Sequence, residues 1–227
     1  MTVLHLADER EAADLAAFLS RLLHYDRGAA VRLQAAGTAL AVFGRPPSFE
    51  VLAIRAVRLA KPYENGLDVT LDVTVSAGEL LESVDESAAT AVVPGAVTGP
   101  PWAGVMPPRG GWRPEPGLPA PDALRAMVGA SVGEFRSRTE ELADELRTRA
   151  ELDRIGREIW SRTVGDTGLP VRAVHAAQSL GFLRPSVGAG DDLALLSLGG
   201  WLRLRTPYGS IAVRRAGRLG MLDVSVR

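Results

Sequence analysis

Hydrophobic positions change period several times along the chain. Behind a D-x-x-E start at Asp8–Glu11, residues Leu15, Phe18, Leu19, Leu22 and Leu23 recur at helical spacing. They predict a helix from Glu9 to Tyr25, closed by Asp26-Arg27-Gly28. VRLQAAGTALAV (31–42) then alternates and reads as a hairpin around Ala36-Gly37, with Val31, Leu33, Leu40 and Val42 inward. In 49–75 the Asn65-Gly66 turn signal separates two further strands. In the second, Leu67, Val69, Leu71, Val73 and Val75 share a buried face and Asp68, Thr70, Asp72 and Thr74 a wet one. A five-residue loop over 62–66 sets Val57 opposite Leu71 and Leu59 opposite Val69, with Arg58 opposite Thr70. Ser76-Ala-Gly-Glu79 is a capping box flanked by Val75 and Leu80, and predicts a short helix from Ala77 to Val84.

All periodicity stops between 94 and 121, which hold nine of the fifteen prolines. No helix or central strand runs through such a segment. A flexible spacer would be small and polar, whereas this segment carries Trp102, Met106 and Trp112. The expectation is an ordered crossing whose tryptophans are mostly buried, with at least one touching both sides of the chain. A ligand groove lined by the same rings is the alternative.

Helical spacing returns with Leu124, Val128, Val132, Phe135, Leu142 and Leu146, and shifts phase at Leu152, Ile155 and Ile159, predicting a break near Thr148–Glu151. Acid-before-base pairs at i,i+4 (Glu134/Arg138, Glu145/Arg149, Asp153/Arg157, Glu158/Arg162) support helix on the outer faces. A further helix follows over Pro170–Leu180. WLRLRTPYGSIAVRR (201–215) is a last hairpin, with Leu202, Leu204, Ile211 and Val213 inward and Arg203, Arg205 and Arg214 outward. A two-residue loop within Thr206-Pro207-Tyr208-Gly209 pairs Leu204 with Ile211 and Arg203 with Ala212. The other apolar-consistent register would oppose Arg203 to Arg214 and needs a compensating anion.

These elements describe an α+β protein of two lobes, 1–93 and 122–227, each with helices on a small antiparallel sheet, joined by the crossing at 94–121. The hairpins at 31–42 and 202–213 align without gaps, and each is preceded by a helix and followed by a further strand, 49–60 and 220–226. A divergent duplication is one reading; the general likeness of amphipathic hairpins is the other.

Composition narrows the function by exclusion. The 227 residues carry a net charge of −1, with no cysteine, so disulfides, thiolate metal sites and a cysteine nucleophile are out. Residues 1–100 hold 13 acids against 8 bases, and 166–227 hold 4 against 8. No apolar run nears the ~18 residues of a membrane span and no apolar leader follows the N-terminus, so a soluble, cytoplasmic protein is expected. Lys61 is the only lysine, which removes a P-loop. Gly188-Ala-Gly-Asp-Asp begins like a dinucleotide fingerprint but lacks the third glycine and an opening strand. His5, His24 and His175 have no ligand spacing, and His175 reads as a packed histidine. Asp68 and Asp72 stand ~13 Å apart on a strand, too far for one ion. No cofactor, metal or catalytic group is implied.

One surface implies a partner. Arg203, Arg205 and Arg214, with Arg215 and Arg218 nearby, form a cationic side of the last hairpin that could meet phosphates or an acidic protein. The leading reading is a non-enzymatic interaction or scaffold protein, with self-association through the helices of 122–163 as one mode. A nucleic-acid-associated regulator using the arginine hairpin is the alternative, and an enzyme with an unrecognised carboxylate site the third.

PPWAGVMPPRGGW, ELDRIGREIWSR and LPVRAVHAAQSLGFL together resemble a family of uncharacterised actinobacterial proteins divided into two domains of unknown function. The resemblance implies a two-part fold and an actinobacterial source, and no activity or site residue.

Overall fold

Asp8 accepts a hydrogen bond from the Glu11 N–H at 2.8 Å and starts helix α1 (Glu9–Tyr25), whose apolar stripe is buried from Leu15 to Leu22. Before it lies a short strand, β1 (Val3–His5). The computed structural model describes residues 2–60, 71–185 and 193–215. After α1 come β2 (Ala30–Ala36), β3 (Ala39–Gly44), β4 (Leu52–Arg58) and β5 (Leu71–Ser76). Ser76 caps α2 (Ala77–Glu82) through the Glu79 N–H, as the capping box requires. Then follow β6 (Val84–Asp85), β7 (Thr90–Val92), β8 (Arg113–Glu115), α3 (Pro121–Glu140), α4 (Arg149–Trp160) and α5 (Val171–Ser179). The last described strands are β9 (Ala194–Leu198), β10 (Trp201–Thr206) and β11 (Gly209–Arg214).

The α+β class and the antiparallel strands agree with the sequence. The sheet organisation is richer: the two four-stranded halves join through β4 and β11 into one sheet of order β5-β2-β3-β4-β11-β10-β9-β8. Ile54 faces Ser210, Ala53 faces Ile211 and Leu52 faces Ala212 across the join. Strands β1, β7 and β6 form a separate small sheet. No described helix is long and apolar enough to cross a membrane.

The hairpin expected from 49 to 75 does not form. β5 pairs with β2, setting Leu33 opposite Val73, while β4 pairs with β3 and β11. Alternation fixes which face a strand buries but not which edge it joins, and the outer edge of β4 is taken by the other half of the chain. Arg58 therefore faces Ala39 and bonds Glu11 and Asp8 of the α1 start, instead of opposing Thr70. Asp68, Leu59's expected partner Val69 and the 62–66 loop lie outside the described residues.

The hairpin β10–β11 takes the two-residue register, with Leu204 opposite Ile211, Leu202 opposite Val213 and Arg203 opposite Ala212. In the first hairpin Ala36 faces Ala39, so the loop is Gly37-Thr38, one residue later than expected; Gly37 has φ +59°, a conformation glycine adopts without strain. The aligned hairpins are not topological equivalents. β2–β3 opens its three-stranded meander (β2-β3-β4), whereas β10–β11 closes its own (β9-β10-β11). The strand expected at 220–226 lies outside the described residues.

The main core lies on one face of the sheet, where Leu15, Phe18 and Leu19 of α1, Val174 and Ala177 of α5, and Leu124 of α3 meet Leu33, Leu40, Val57, Leu202 and Ile211. α3 stops at Glu140, earlier than the periodicity suggests, and Leu146 is 60 % exposed in the connection before Thr148 caps α4. Of the i,i+4 pairs expected there, Glu134/Arg138 and Glu158/Arg162 form. The shorter contacts run between helices, from Arg138 to Glu158 at 2.8 Å and from Arg162 to Glu134 at 2.5 Å. Hydrogen bonding from Arg138 holds the Glu158 carboxyl down to about 2. Asp153 meets Arg149 instead of Arg157's guanidinium, because Arg157 donates to the Asp153 backbone carbonyl.

Candidate functional site

The opposite face of the sheet is also apolar. Phe43, Leu52, Ile54, Trp201 and Ala212 form a second cluster there, drawn from both halves of the chain. The proline-rich segment covers it. Val97 donates to the Thr74 carbonyl at the β5 edge, and Arg113–Glu115 pairs with β9 at the far edge. The segment thus straps the sheet from side to side. Eight strands span seven spacings of about 4.8 Å, or about 34 Å. Residues 98–112 reach about 50 Å when extended, at ~3.3 Å each, which leaves slack for the 3-10 turn at Pro101–Gly104. Proline suits a chain that must cross strands without pairing to them.

Trp102, Met106 and Trp112 pack on this second cluster. Both tryptophans are half-buried, less deeply placed than expected, because each lies on the sheet with its outer side toward solvent. The Trp112 indole N–H donates to the Pro108 carbonyl at 3.0 Å, closing a local loop. The Ala103 carbonyl accepts from Arg32, fixing the strap to β2.

Between strap and sheet is a cavity of about 400 Å³. Its floor exists because two cross-strand pairs differ in size: Ala41 faces Ala56, beside the large pair Phe43 and Ile54. Pro107, Pro108 and Arg109 form the strap side. Polar groups stand at the two ends. At one, Asp72 is held by Arg32 at 2.7 Å, by Gln34 at 3.0 Å and, more loosely, by Arg109 at 3.9 Å. The Arg32 hydrogen bond, above all, keeps the Asp72 carboxyl below the usual carboxylate range. Asp72 is thus an engaged anion, where the alternation suggested a solvated one.

Arg203 lines the other end. Its position between Ala212 and Leu196 on neighbouring strands surrounds it with apolar surface, and the Trp112 ring lies 5.8 Å from its guanidinium carbon. Its Nε is buried and has no hydrogen-bond partner among the described residues. Burial, and secondarily the charge of Arg205, disfavour its charged form; a guanidinium nonetheless stays protonated.

The other expected surface arginines have separate environments. Arg214 stacks on Trp201 at 4.5 Å, and Arg215 pairs with Glu115 of β8. Arg205 is exposed. Arg218 and the Gly188–Asp192 glycine run lie outside the described residues. The hairpin therefore places Arg203, Arg205 and Arg214 on one face, as expected, but not as three equivalent solvent-facing cations. His175 is packed: it stacks on Trp160 at 4.6 Å and meets the Phe49 ring edge-on at 5.0 Å. Among the described residues no three acidic or histidine side chains are grouped to hold a metal ion.

The cavity residues Ala41, Phe43, Ile54 and Ala56 are absent from the sequence-level candidates. Their signal was present: 39–43 and, Arg55 apart, 51–57 are apolar in both alternation phases, the mark of strands covered on both faces.

Two family models match the chain in succession: a domain of unknown function (DUF8010) over residues 1–104 and a domain of unknown function (DUF8185) over residues 107–218. Their boundary falls inside the strap, and the β4–β11 join pairs a strand of one with a strand of the other. No curated protein and no solved structure matches the chain.

Proposed function

We propose that this chain, which joins a DUF8010 domain to a DUF8185 domain, is a non-enzymatic binding protein whose ligand lies between the strap and the second face of the joint sheet. The observation that carries this reading is the cavity itself. At about 400 Å³, apolar in its floor and polar at its ends, it falls in the range of small-molecule sites. Among the described residues its lining includes no histidine and no hydroxyl, and the one carboxylate there, Asp72, is already engaged by Arg32. That set suits retention of a ligand better than proton transfer or nucleophilic attack.

Filling the floor tests the reading. Ala41→Trp places an indole where the ligand would lie, so it should abolish the binding of small apolar probes while leaving the chain folded. Native mass spectrometry of the purified protein should show a bound small molecule that A41W lacks. Equal probe binding by both proteins would refute the reading.

The remaining alternative is contact with nucleic-acid phosphates through the β10–β11 arginines. Two of those four described arginines already meet groups of the chain, Arg214 on Trp201 and Arg215 on Glu115, which favours the cavity over the surface. Retention on nucleic acid that falls steeply with salt would support the alternative instead.

A further inference from the structure

We infer that the cavity beneath the strap takes an amphiphilic carboxylate, its head group on Arg203 and its apolar body on Phe43, Ile54 and the Ala41/Ala56 floor. The inference rests on the binding reading above and adds the chemistry of the head group.

Apart from Arg205, which is exposed to solvent, each neighbouring guanidinium has a counterpart within the chain. Arg32 has Asp72, Arg215 has Glu115 and Arg214 has the Trp201 ring. Arg203 has no carboxylate among the described residues, although it lines the cavity and its Nε is shielded from water. An unpaired, partly desolvated cation is unfavourable, and removing its penalty needs an anion that arrives with the ligand. The planar fork of a guanidinium matches the two oxygens of a carboxylate.

The same inventory limits the ligand's charge. Arg109, the other cation among the described lining residues, has a side chain 76 % exposed and stands only 3.9 Å from Asp72, so solvent screens its charge. One guanidinium secluded from water matches a monoanion better than a phosphate dianion. The floor then selects an apolar body, because the Phe43–Ile54 pair and the two alanines offer no hydrogen-bonding side chain.

Calorimetric titration of the full chain with 4-phenylbutyrate, 4-phenylbutan-1-ol and 4-phenylbutyl phosphate tests this. A charge-assisted hydrogen bond at a half-buried site gives the carboxylate at least about a tenfold tighter Kd than the alcohol. Arg203→Met should bring that ratio to about one while the alcohol's affinity stays, and the ligand-free variant should melt no lower than the native chain, since it loses an uncompensated cation. R203Q gives the same comparison if R203M does not fold. Equal binding of carboxylate and alcohol, a preference that survives R203M and R203Q, or a phosphate that binds tenfold tighter than the carboxylate would each overturn the carboxylate inference alone. Failure of all three probes to bind would overturn the cavity reading with it.

Discussion

Arg55→Met should destabilise the protein by about 3 kcal/mol. Arg55 lies on β4 facing α1, 6 % exposed, and its guanidinium reaches three groups. It bonds Glu11 at 3.3 Å and Asp14 at 3.2 Å on α1, and the Tyr208 carbonyl at 2.6 Å in the β10–β11 turn. One side chain thus ties the first helix, the central strand and the second half of the chain. Removing one partner of a buried ion pair costs about 3–5 kcal/mol, because the remaining charge is left desolvated. Here each acid keeps another arginine, Glu11 with Arg58 at 2.8 Å and Asp14 with Arg184 at 2.7 Å, which places the loss at the lower end. For a chain of this size that is about 6–12 °C in Tm. Urea unfolding of the native chain and R55M measures it. The same substitution in an E11Q/D14N background should cost about half as much, since the stranded charges are gone. A loss under about 1 kcal/mol, or one unchanged by neutralising the acids, would refute the role given to this cluster.

Other consequences are equally direct. Burial holds the His175 imidazole below the ordinary 6.5, so the unfolded chain takes up its proton first. The stability contributed by the neutral ring is whole above about pH 6.5 and declines as pH falls below it. The urea midpoint should therefore drop between pH 7.5 and 5.5, and less so in H175F, which keeps an aromatic ring beside Trp160. Gly209→Ala would set a methyl 2.6 Å from the ring of buried Phe182; overpacking of that kind costs about 1–3 kcal/mol, measurable by thermal unfolding. Trp112→Ala should loosen the strap, seen as faster hydrogen exchange at β8 with little change in α1.

Local features of this fold were legible in residues. The Asp8 cap, the Ser76 capping box and the β10–β11 register all follow from signals within a few positions. Long-range choices were not. Leu71, Val73 and Val75 state which side of β5 is buried, yet they would serve β2 or β4 equally well, and nothing local says that β4 is reserved for β11. Arg55 carried a signal of another kind: a charged residue at an inward position of an apolar strand, with Glu11 and Asp14 beside the apolar stripe of α1. Such residues mark a buried ion cluster, but the pairing needs the fold. The same holds for the cavity, whose floor is a matter of which alanines face each other. Arg203 was recognised as part of a cationic face, whereas its seclusion from water depends on the strap passing above it.

The claim that a ligand is held between strap and sheet is tested most directly by mapping amide chemical shifts during titration with 4-phenylbutan-1-ol, which needs no head-group contact. The account predicts saturable shifts concentrated at Ala41, Phe43, Ile54 and Ala56 and at Met106 and Arg109 of the strap, all absent in A41W. Shifts centred on α3 and α4, or none that saturate, would contradict it.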